Sequence, residues 1–137
     1  MRNLLVIALL AMSVLSCNSA NKERPSAKYE EKKKSMEEME RETPLKFLKI
    51  TGDHHGNIIN QVVIDADIHN SATLTAFKDI EVKMTFKDRS GAAIERDTKT
   101  LNDIVGPGAT KRVKIKVRKP KGTSSVTFDI VGAVADK

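Results

Sequence analysis

FKDIEVKMTFK, residues 77–87, is the stretch that decides the fold. Its apolar side chains recur at every second position: Ile80, Val82, Met84 and Phe86. Charged or hydroxyl side chains occupy the positions between them. Because successive side chains of a β-strand point to opposite faces, this alternation predicts a strand with one buried and one solvated face. The segment 88–91 that follows predicts a turn, since Gly91 suits a positive φ.

Similar alternation recurs on both sides of this strand. The further strands predicted are Leu45–Thr51, Ile58–His69, Ile94–Thr100, Lys111–Arg118 and Ser125–Val131. The turns predicted between them include Gly52–Asn57, Gly106–Gly108 and Lys119–Gly122. Short strands joined by turns, without helices between them, predict an all-β domain, an antiparallel β-sandwich. The predicted core consists of Val62, Ile64, Ile80, Val82, Phe86, Ile94, Val113, Ile115, Phe128 and Ile130.

Five pieces of this region also follow a family pattern. They are Ile50–Gly52, Asp67–Asn70, Phe77–Asp88, Gly91 and Val105–Thr110. Together they resemble the FxLYD-type immunoglobulin-like domains of bacterial lipoproteins and secreted proteins. The resemblance covers about the last two-thirds of the chain. It implies an immunoglobulin-like sandwich in an exported protein, and it carries no catalytic residues.

The N-terminal segment Met1–Ser16 has the layout of a secretion signal. Arg2 supplies the positive start, Leu4–Leu15 is an apolar core, and Ser16 is a small residue near the cleavage point. A confident membrane span needs about 18 or more apolar residues, so this core is too short for one. The sequence therefore predicts an exported protein.

The residues Val14-Leu15-Ser16-Cys17 resemble the lipobox of bacterial lipoprotein signal peptides. The resemblance implies cleavage before Cys17 and attachment of diacylglycerol to its sulfur. Asn18 follows in place of the aspartate that resembles an inner-membrane retention signal, which favours the outer membrane of a two-membrane bacterium. The predicted organisation is a signal peptide (1–16), a lipid-anchored, charged and partly helical tether (17–43), and the sandwich domain (44–137).

The tether is dominated by charged residues and predicts a helix over 26–42. Tyr29, Met36 and Met39 fall near one face of that helix, as spacings of seven and three require. This thin apolar stripe leaves two interpretations, a short partner-binding helix and a solvated spacer, and we favour the spacer. Pro44 ends the helical pattern because proline disfavours the α region for the residue before it.

Composition excludes several classes of function. Charged residues make up 31% of the chain, aromatic residues 4%, and tryptophan is absent. Carbohydrate clefts and base-stacking platforms rely on aromatic faces, so we expect no nucleic-acid partner. The single cysteine excludes an internal disulfide. The sequence has neither a recognisable nucleophile elbow nor a glycine-rich phosphate loop, so we expect no enzymatic activity and no cofactor.

The strongest charged feature is the basic stretch 111–121, which contains seven cations and no acid. They are Lys111, Arg112, Lys114, Lys116, Arg118, Lys119 and Lys121. The stretch is either a patch for an anionic partner or a lysine-rich solvent face that protects an edge strand.

Two adjacent histidines, His54 and His55, lie in the predicted loop 53–55 and are weak candidate metal ligands. His69, at the other end of the predicted strand, is too distant to share an ion with them. The main hypothesis is a lipid-anchored, non-enzymatic envelope lipoprotein that presents a small interaction module. Its expected partner is an envelope protein or an anionic envelope polymer. The alternative is a carrier for an anionic ligand or a metal ion that uses the basic stretch or the histidine loop.

Overall fold

The computed structural model describes residues 25–137. Its elements are helix α1 (Pro25–Glu42), a single 3-10 turn (Pro44–Lys46), and strands β1 (Leu48–Gly56), β2 (Gln61–Asn70), β3 (Phe77–Lys87), β4 (Ala93–Leu101), β5 (Thr110–Arg118) and β6 (Ser125–Ala135). Within this part of the chain, no helix is long and apolar enough to span a membrane. The predictions of a signal peptide and of lipidation at Cys17 lie outside the described residues.

The six strands form two antiparallel three-stranded sheets. One has the order β1-β2-β5 and the other β4-β3-β6. Side chains from both sheets form one buried cluster: Leu48, Val62, Ile64, Ala66, Ile68, Ala72, Phe77, Ile80, Val82, Met84, Phe86, Val105, Val113, Ile115, Val117 and Val126. The prediction of an all-β sandwich is confirmed.

Strand β3 has the bounds that its alternation predicts, and it lies at the centre of its sheet. Its four alternating apolar side chains are all buried. Full burial of a side chain of this size stabilises the fold by about 1.5–3 kcal/mol. Burying four of them on one strand explains why this stretch decides where the core lies.

The predicted first strand and the turn after it are wrong in their bounds. Pro44–Lys46 forms a 3-10 turn, and β1 continues through the predicted turn and the predicted loop 53–55 to Gly56. A methyl group at Gly52 would collide with the carbonyl oxygen of Asp65 and with Cα of Ala66. The glycine therefore allows the close approach of two paired strands and does not mark a turn.

The hairpin between β1 and β2 turns later than predicted, at residues 57–60. Asn57 Oδ1 accepts hydrogen bonds from the N–H groups of Ile59, at 3.1 Å, and Gln61, at 2.9 Å. Asn60 adopts a positive φ of 58°. Ile58 and Ile59, predicted to begin the second strand, instead lie in the turn with exposed side chains.

Ile94, predicted in the core, is 43% exposed. Phe86 pairs with Glu95 and Lys87 pairs with Ala93, so Ile94 is the extra residue of a β-bulge. The bulge interrupts the inward-outward alternation of β4, and the prediction for Ile94 is therefore wrong. Phe128 and Ile130 are partly buried and pack against the core.

Different elements lie at the two ends of the sandwich. At the base end, α1 meets the loop 71–76, and the Gly108 N–H of the loop 102–109 donates to the Ala72 carbonyl of the loop 71–76. At the opposite end lie the loops 57–60, 88–92 and 119–124, which we call the apex. The 9 to 11 residues of each strand separate the two ends by about 30–36 Å.

Candidate functional site

Helix α1 is joined to the sandwich by a buried carboxylate, that of Glu40, which is only 1% exposed. Its Oε1 accepts hydrogen bonds from the N–H and the hydroxyl of Thr73, at 2.7 and 2.8 Å. Its Oε2 accepts from the N–H groups of Leu74 and Thr75, at 3.0 and 2.8 Å. Four donors thus satisfy one buried negative charge, and we call this arrangement the Glu40 clasp.

The clasp holds Glu40 in its ionised form. Burial alone would raise the pKa of this carboxyl, but the hydrogen bonds from Thr73, Leu74 and Thr75 outweigh it and lower the pKa below the ordinary value. Hydrogen bonds to a charged form stabilise that form. The clasp is therefore complete in neutral solution.

The loop 71–76 is also held from its other side, by the buried side chain of Asn70. The Asn70 amide group donates to the carbonyl oxygens of Thr75, Val105 and Gly106 at 2.9 to 3.1 Å. Its Oδ1 accepts from the N–H of Ala72 at 2.9 Å. Asn70 therefore fixes both loops of the base end, and its role is structural.

The rest of α1 is largely exposed. Tyr29, Met36 and Met39, the predicted apolar stripe, are each more than one-third exposed. A shallow cleft of about 450 Å³ lies between this face and the 73–74 loop. The spacer interpretation accounts for this exposure but not for Glu40, which the sequence analysis missed because a lone Glu in a charged helix carries no signal of burial.

The basic stretch lies on β5, an edge strand, and continues into the loop 119–124. Four of its seven cations form ion pairs, which join Lys111 to Asp103, Arg112 to Asp67, Lys114 to Asp65 and Arg118 to Glu95 at 3.0 to 3.4 Å. Asp65 and Asp67 stand directly opposite Lys114 and Arg112 in the register of β2 and β5. The sheet therefore neutralises much of the positive charge that the stretch shows in sequence.

Three cations of the stretch form no ion pair with any residue in 25–137: Lys116, Lys119 and Lys121. Lys116 lies on β5, two residues from its C-terminal end. Lys119 and Lys121 belong to the apex. The uncompensated positive charge is thus displaced towards the apex, away from the helix.

The two candidate metal ligands, His54 and His55, both contribute to the lining of a small pocket of about 170 Å³, beside Lys119 and Ser124. His54 and His55 are consecutive residues of β1, so their side chains point to opposite faces of the strand. His55 Nδ1 lies 3.7 Å from Asp65 Oδ2, and His69 Nδ1 is hydrogen-bonded to Thr110 Oγ1. Among residues 25–137, no group of three His, Cys, Asp or Glu side chains is placed to hold a metal ion.

No family model and no curated protein matches this sequence, so the resemblance to FxLYD-type domains stays a prediction. Among solved structures, IrmA from Escherichia coli is similar with a TM-score of 0.50 and 14% identity, over 66% of this chain and 78% of that chain. The Salmonella enterica trimeric lipoprotein SadB gives a TM-score of 0.49 and 14% identity, over 81% of this chain and 74% of that chain. The likeness to IrmA supports the β fold and bears on nothing else.

Proposed function

We propose that this chain is an envelope lipoprotein that presents a non-enzymatic β-sandwich at the end of a clasped helix. The observation that carries the proposal is the Glu40 clasp. It joins the charged helix to the sandwich through four hydrogen bonds. A flexible tether would not need hydrogen bonds to the domain. A helix that orients the domain must be attached to it, and these bonds provide the attachment.

The anchor is the lipid expected on Cys17. Each buried methylene contributes about 0.8 kcal/mol to membrane binding, and two or more acyl chains are needed for stable anchoring. Diacylglycerol on Cys17 meets that requirement without a membrane-spanning segment. The outer membrane of a two-membrane bacterium is the proposed location, on the strength of Asn18 after the cysteine.

The module is proposed to act by binding an envelope partner and not by catalysis. The ion pairs of Asp65, Asp67 and His55 join neighbouring strands to each other, and the pocket of about 170 Å³ beside His54 and His55 is lined by no carboxylate. General acid–base chemistry requires a titratable side chain, with a pKa suited to proton transfer, next to a substrate site. The charged side chains of the β1-β2-β5 sheet support a binding surface better than an active site.

Metabolic labelling with palmitate, combined with cell fractionation, tests the anchor. The expected result is label on the wild-type protein, and loss of both label and membrane association in Cys17→Ser. The Glu40→Gln variant is the matched control, because it alters the clasp and leaves the lipidation site intact, and it should be labelled like the wild type. Label on Cys17→Ser, or a wild-type protein found in the soluble fraction, would contradict the proposal.

A further inference from the structure

The apex of the sandwich ends in two exposed isoleucines at the tip of the β1–β2 hairpin. The Ile58 side chain is fully exposed and that of Ile59 is 68% exposed. Neither belongs to the buried core. Adjacent isoleucines in this position do not contribute to folding through burial, so their exposure requires another explanation.

The turn that carries them is closed by its own hydrogen bonds. Asn57 binds the backbone of Ile59 and Gln61 through Oδ1, and its amide donates to Gln61 Oε1 at 3.0 Å. The N–H of Asn57 donates to the Gln61 carbonyl at 3.0 Å. The two isoleucines therefore lie at the tip of a hydrogen-bonded hairpin turn.

The other two apex loops, 88–92 and 119–124, contain basic residues. The Lys119 N–H donates to the Asn60 carbonyl at 3.0 Å, which fixes the lysine loop beside the hairpin. The Ser124 N–H donates to the Lys87 carbonyl at 2.8 Å, which joins the same loop to the turn that carries Arg89. The three apex loops contain three cations, Arg89, Lys119 and Lys121, and one acid, Asp88.

We propose that the apex docks on an anionic phospholipid bilayer. Ile58 and Ile59 enter the interface between headgroups and acyl chains, and Lys119, Lys121 and Arg89 contact the phosphate groups. Apolar insertion and attraction of basic side chains to anionic lipid are the two forces that hold peripheral proteins on membranes. The apex contains both the apolar side chains and the basic side chains that these forces require, on three loops joined by hydrogen bonds.

A bilayer fits this surface better than a protein does. A stable protein interface buries about 800 Å² on each partner, over about 20–30 residues. The apex offers a projecting tip of two apolar side chains with a few cations, and a bilayer accepts such a tip without a complementary pocket. The cis arrangement, on the anchor's own membrane, rests on the proposed function.

An environment-sensitive fluorophore at the apex tests the proposal on the full lipidated protein. Cys17 is the only cysteine and its sulfur carries the lipid, so Ile59→Cys provides a single reactive thiol. The protein is reconstituted into vesicles of phosphatidylcholine alone, or of phosphatidylcholine with phosphatidylglycerol. The expected result is a blue shift that requires phosphatidylglycerol. A label at Ile104→Cys, on an isoleucine that is 53% exposed at the base end, is the control and should not shift.

A second arm detects docking on another membrane. Phosphatidylcholine vesicles that carry the protein with its native Ile59 are mixed with fluorescent phosphatidylglycerol vesicles, and their capture is measured. Lys119→Glu/Lys121→Glu should lower cis docking or trans capture by about tenfold or more, since each basic residue near an anionic surface contributes about one kcal/mol. The control Lys46→Glu/Lys49→Glu reverses two exposed lysines near the base end and should leave docking unchanged.

The outcomes separate the apex from the anchor. Flotation with neutral vesicles reports the lipid anchor alone, so its failure would contradict the proposed function and not the apex. A blue shift in cis or capture in trans supports bilayer docking and shows which membrane is bound. The proposal of bilayer docking is overturned if neither the blue shift nor the capture of vesicles is observed. It is also overturned if docking is unchanged by Lys119→Glu/Lys121→Glu and by Ile58→Ser/Ile59→Ser. A protein partner would then be the reason for the exposed isoleucines.

Discussion

Glu40 and Asn70 hold Thr75 from opposite sides. The Thr75 N–H donates to Glu40 Oε2 at 2.8 Å, and the Thr75 carbonyl accepts from Asn70 Nδ2 at 2.9 Å. Both side chains are buried. One residue of the base end, Thr75, therefore connects α1 with the end of β2.

Replacing Glu40 should undock the helix without unfolding the sandwich. In Glu40→Ala, the N–H groups of Thr73, Leu74 and Thr75 lose their acceptor, and the expected cost is about 1–3 kcal/mol in the free energy of unfolding. Hydrogen exchange at these three amides should accelerate. Urea unfolding and exchange measured by mass spectrometry check the two effects.

Glu38 provides the control for the clasp, because it lies two residues earlier on α1 and is exposed. Glu38→Ala removes the same charge and should change neither the unfolding free energy nor the exchange of the 73–75 amides. Equal effects of the two substitutions would mean that the helix is held by its overall charge and not by the Glu40 carboxylate.

Acid should release the helix. Because the pKa of Glu40 in the folded protein lies below its ordinary value of 4.5, the stability contributed by the carboxylate is complete above that value. It is lost as the pH falls through the lower, folded-state pKa. Urea midpoints measured from neutral pH down to about pH 3 should therefore decline. Asp67, Asp88 and Asp136 also have lowered pKa values. The decline should accordingly be shallower, but still present, in Glu40→Gln.

Asn70 should be the most sensitive polar position of the sandwich. Asn70→Asp keeps the shape of the side chain but places a carboxylate against the carbonyl oxygens of Thr75, Val105 and Gly106. The Val105 and Gly106 carbonyls keep the N–H groups of Phe77 and Ala109 as donors, whereas the Thr75 carbonyl loses its donor. A buried acceptor left without a donor costs about 1–3 kcal/mol, and repulsion between the carboxylate and the carbonyl oxygens adds to this cost. Thermal unfolding measures it. Asn102→Asp, at an exposed position of the same end, is the control, and a comparable fall in Tm there would contradict the assignment to hydrogen bonding.

The parts of the fold that the sequence predicts are those controlled by a local period. The bounds of β3 follow from alternation alone, and β5 begins within one residue of its predicted start. The resemblance to FxLYD-type domains includes Asn70 in its pattern. The physical reason for that asparagine, four hydrogen bonds to two loops, appears only when the loops are in place.

The features that sequence could not predict depend on partners distant in the chain. Glu40 binds residues 33 to 35 positions away, and nothing near it in sequence indicates burial. The seven cations of the basic stretch appear uncompensated until β2 places Asp65 and Asp67 opposite β5. The polar run 53–55 resembles a loop because β1 is an edge strand with exposed side chains.

Two glycines of β1 offer a matched pair for testing the strand register. Gly52→Ala places a methyl group against the backbone of Asp65 and Ala66, and we expect it to cost about 1–3 kcal/mol. At Gly56, the nearest atom to the added methyl group would be the Gln61 carbonyl oxygen at 3.9 Å. Gly56→Ala should therefore be tolerated. Urea unfolding of both variants compares them directly, and equal stability would show that the β1–β2 register differs from the one described.

The acids of β2 should limit how strongly the basic stretch binds anions. The Arg112 guanidinium holds the pKa of Asp67 below its ordinary value, so this acid remains charged down to low pH. Asp65→Asn/Asp67→Asn would leave Lys114 and Arg112 uncompensated. The variant should be retained on a polyanion column to higher salt than the wild type, since attraction between exposed charges is screened by salt. Asp129→Asn removes a single exposed acid from β6, in the other sheet. It is the control that shows how far the loss of one negative charge alone shifts the salt concentration of elution. If the two variants shift the elution salt concentration equally for each charge removed, the cross-strand ion pairs do not shield the basic stretch.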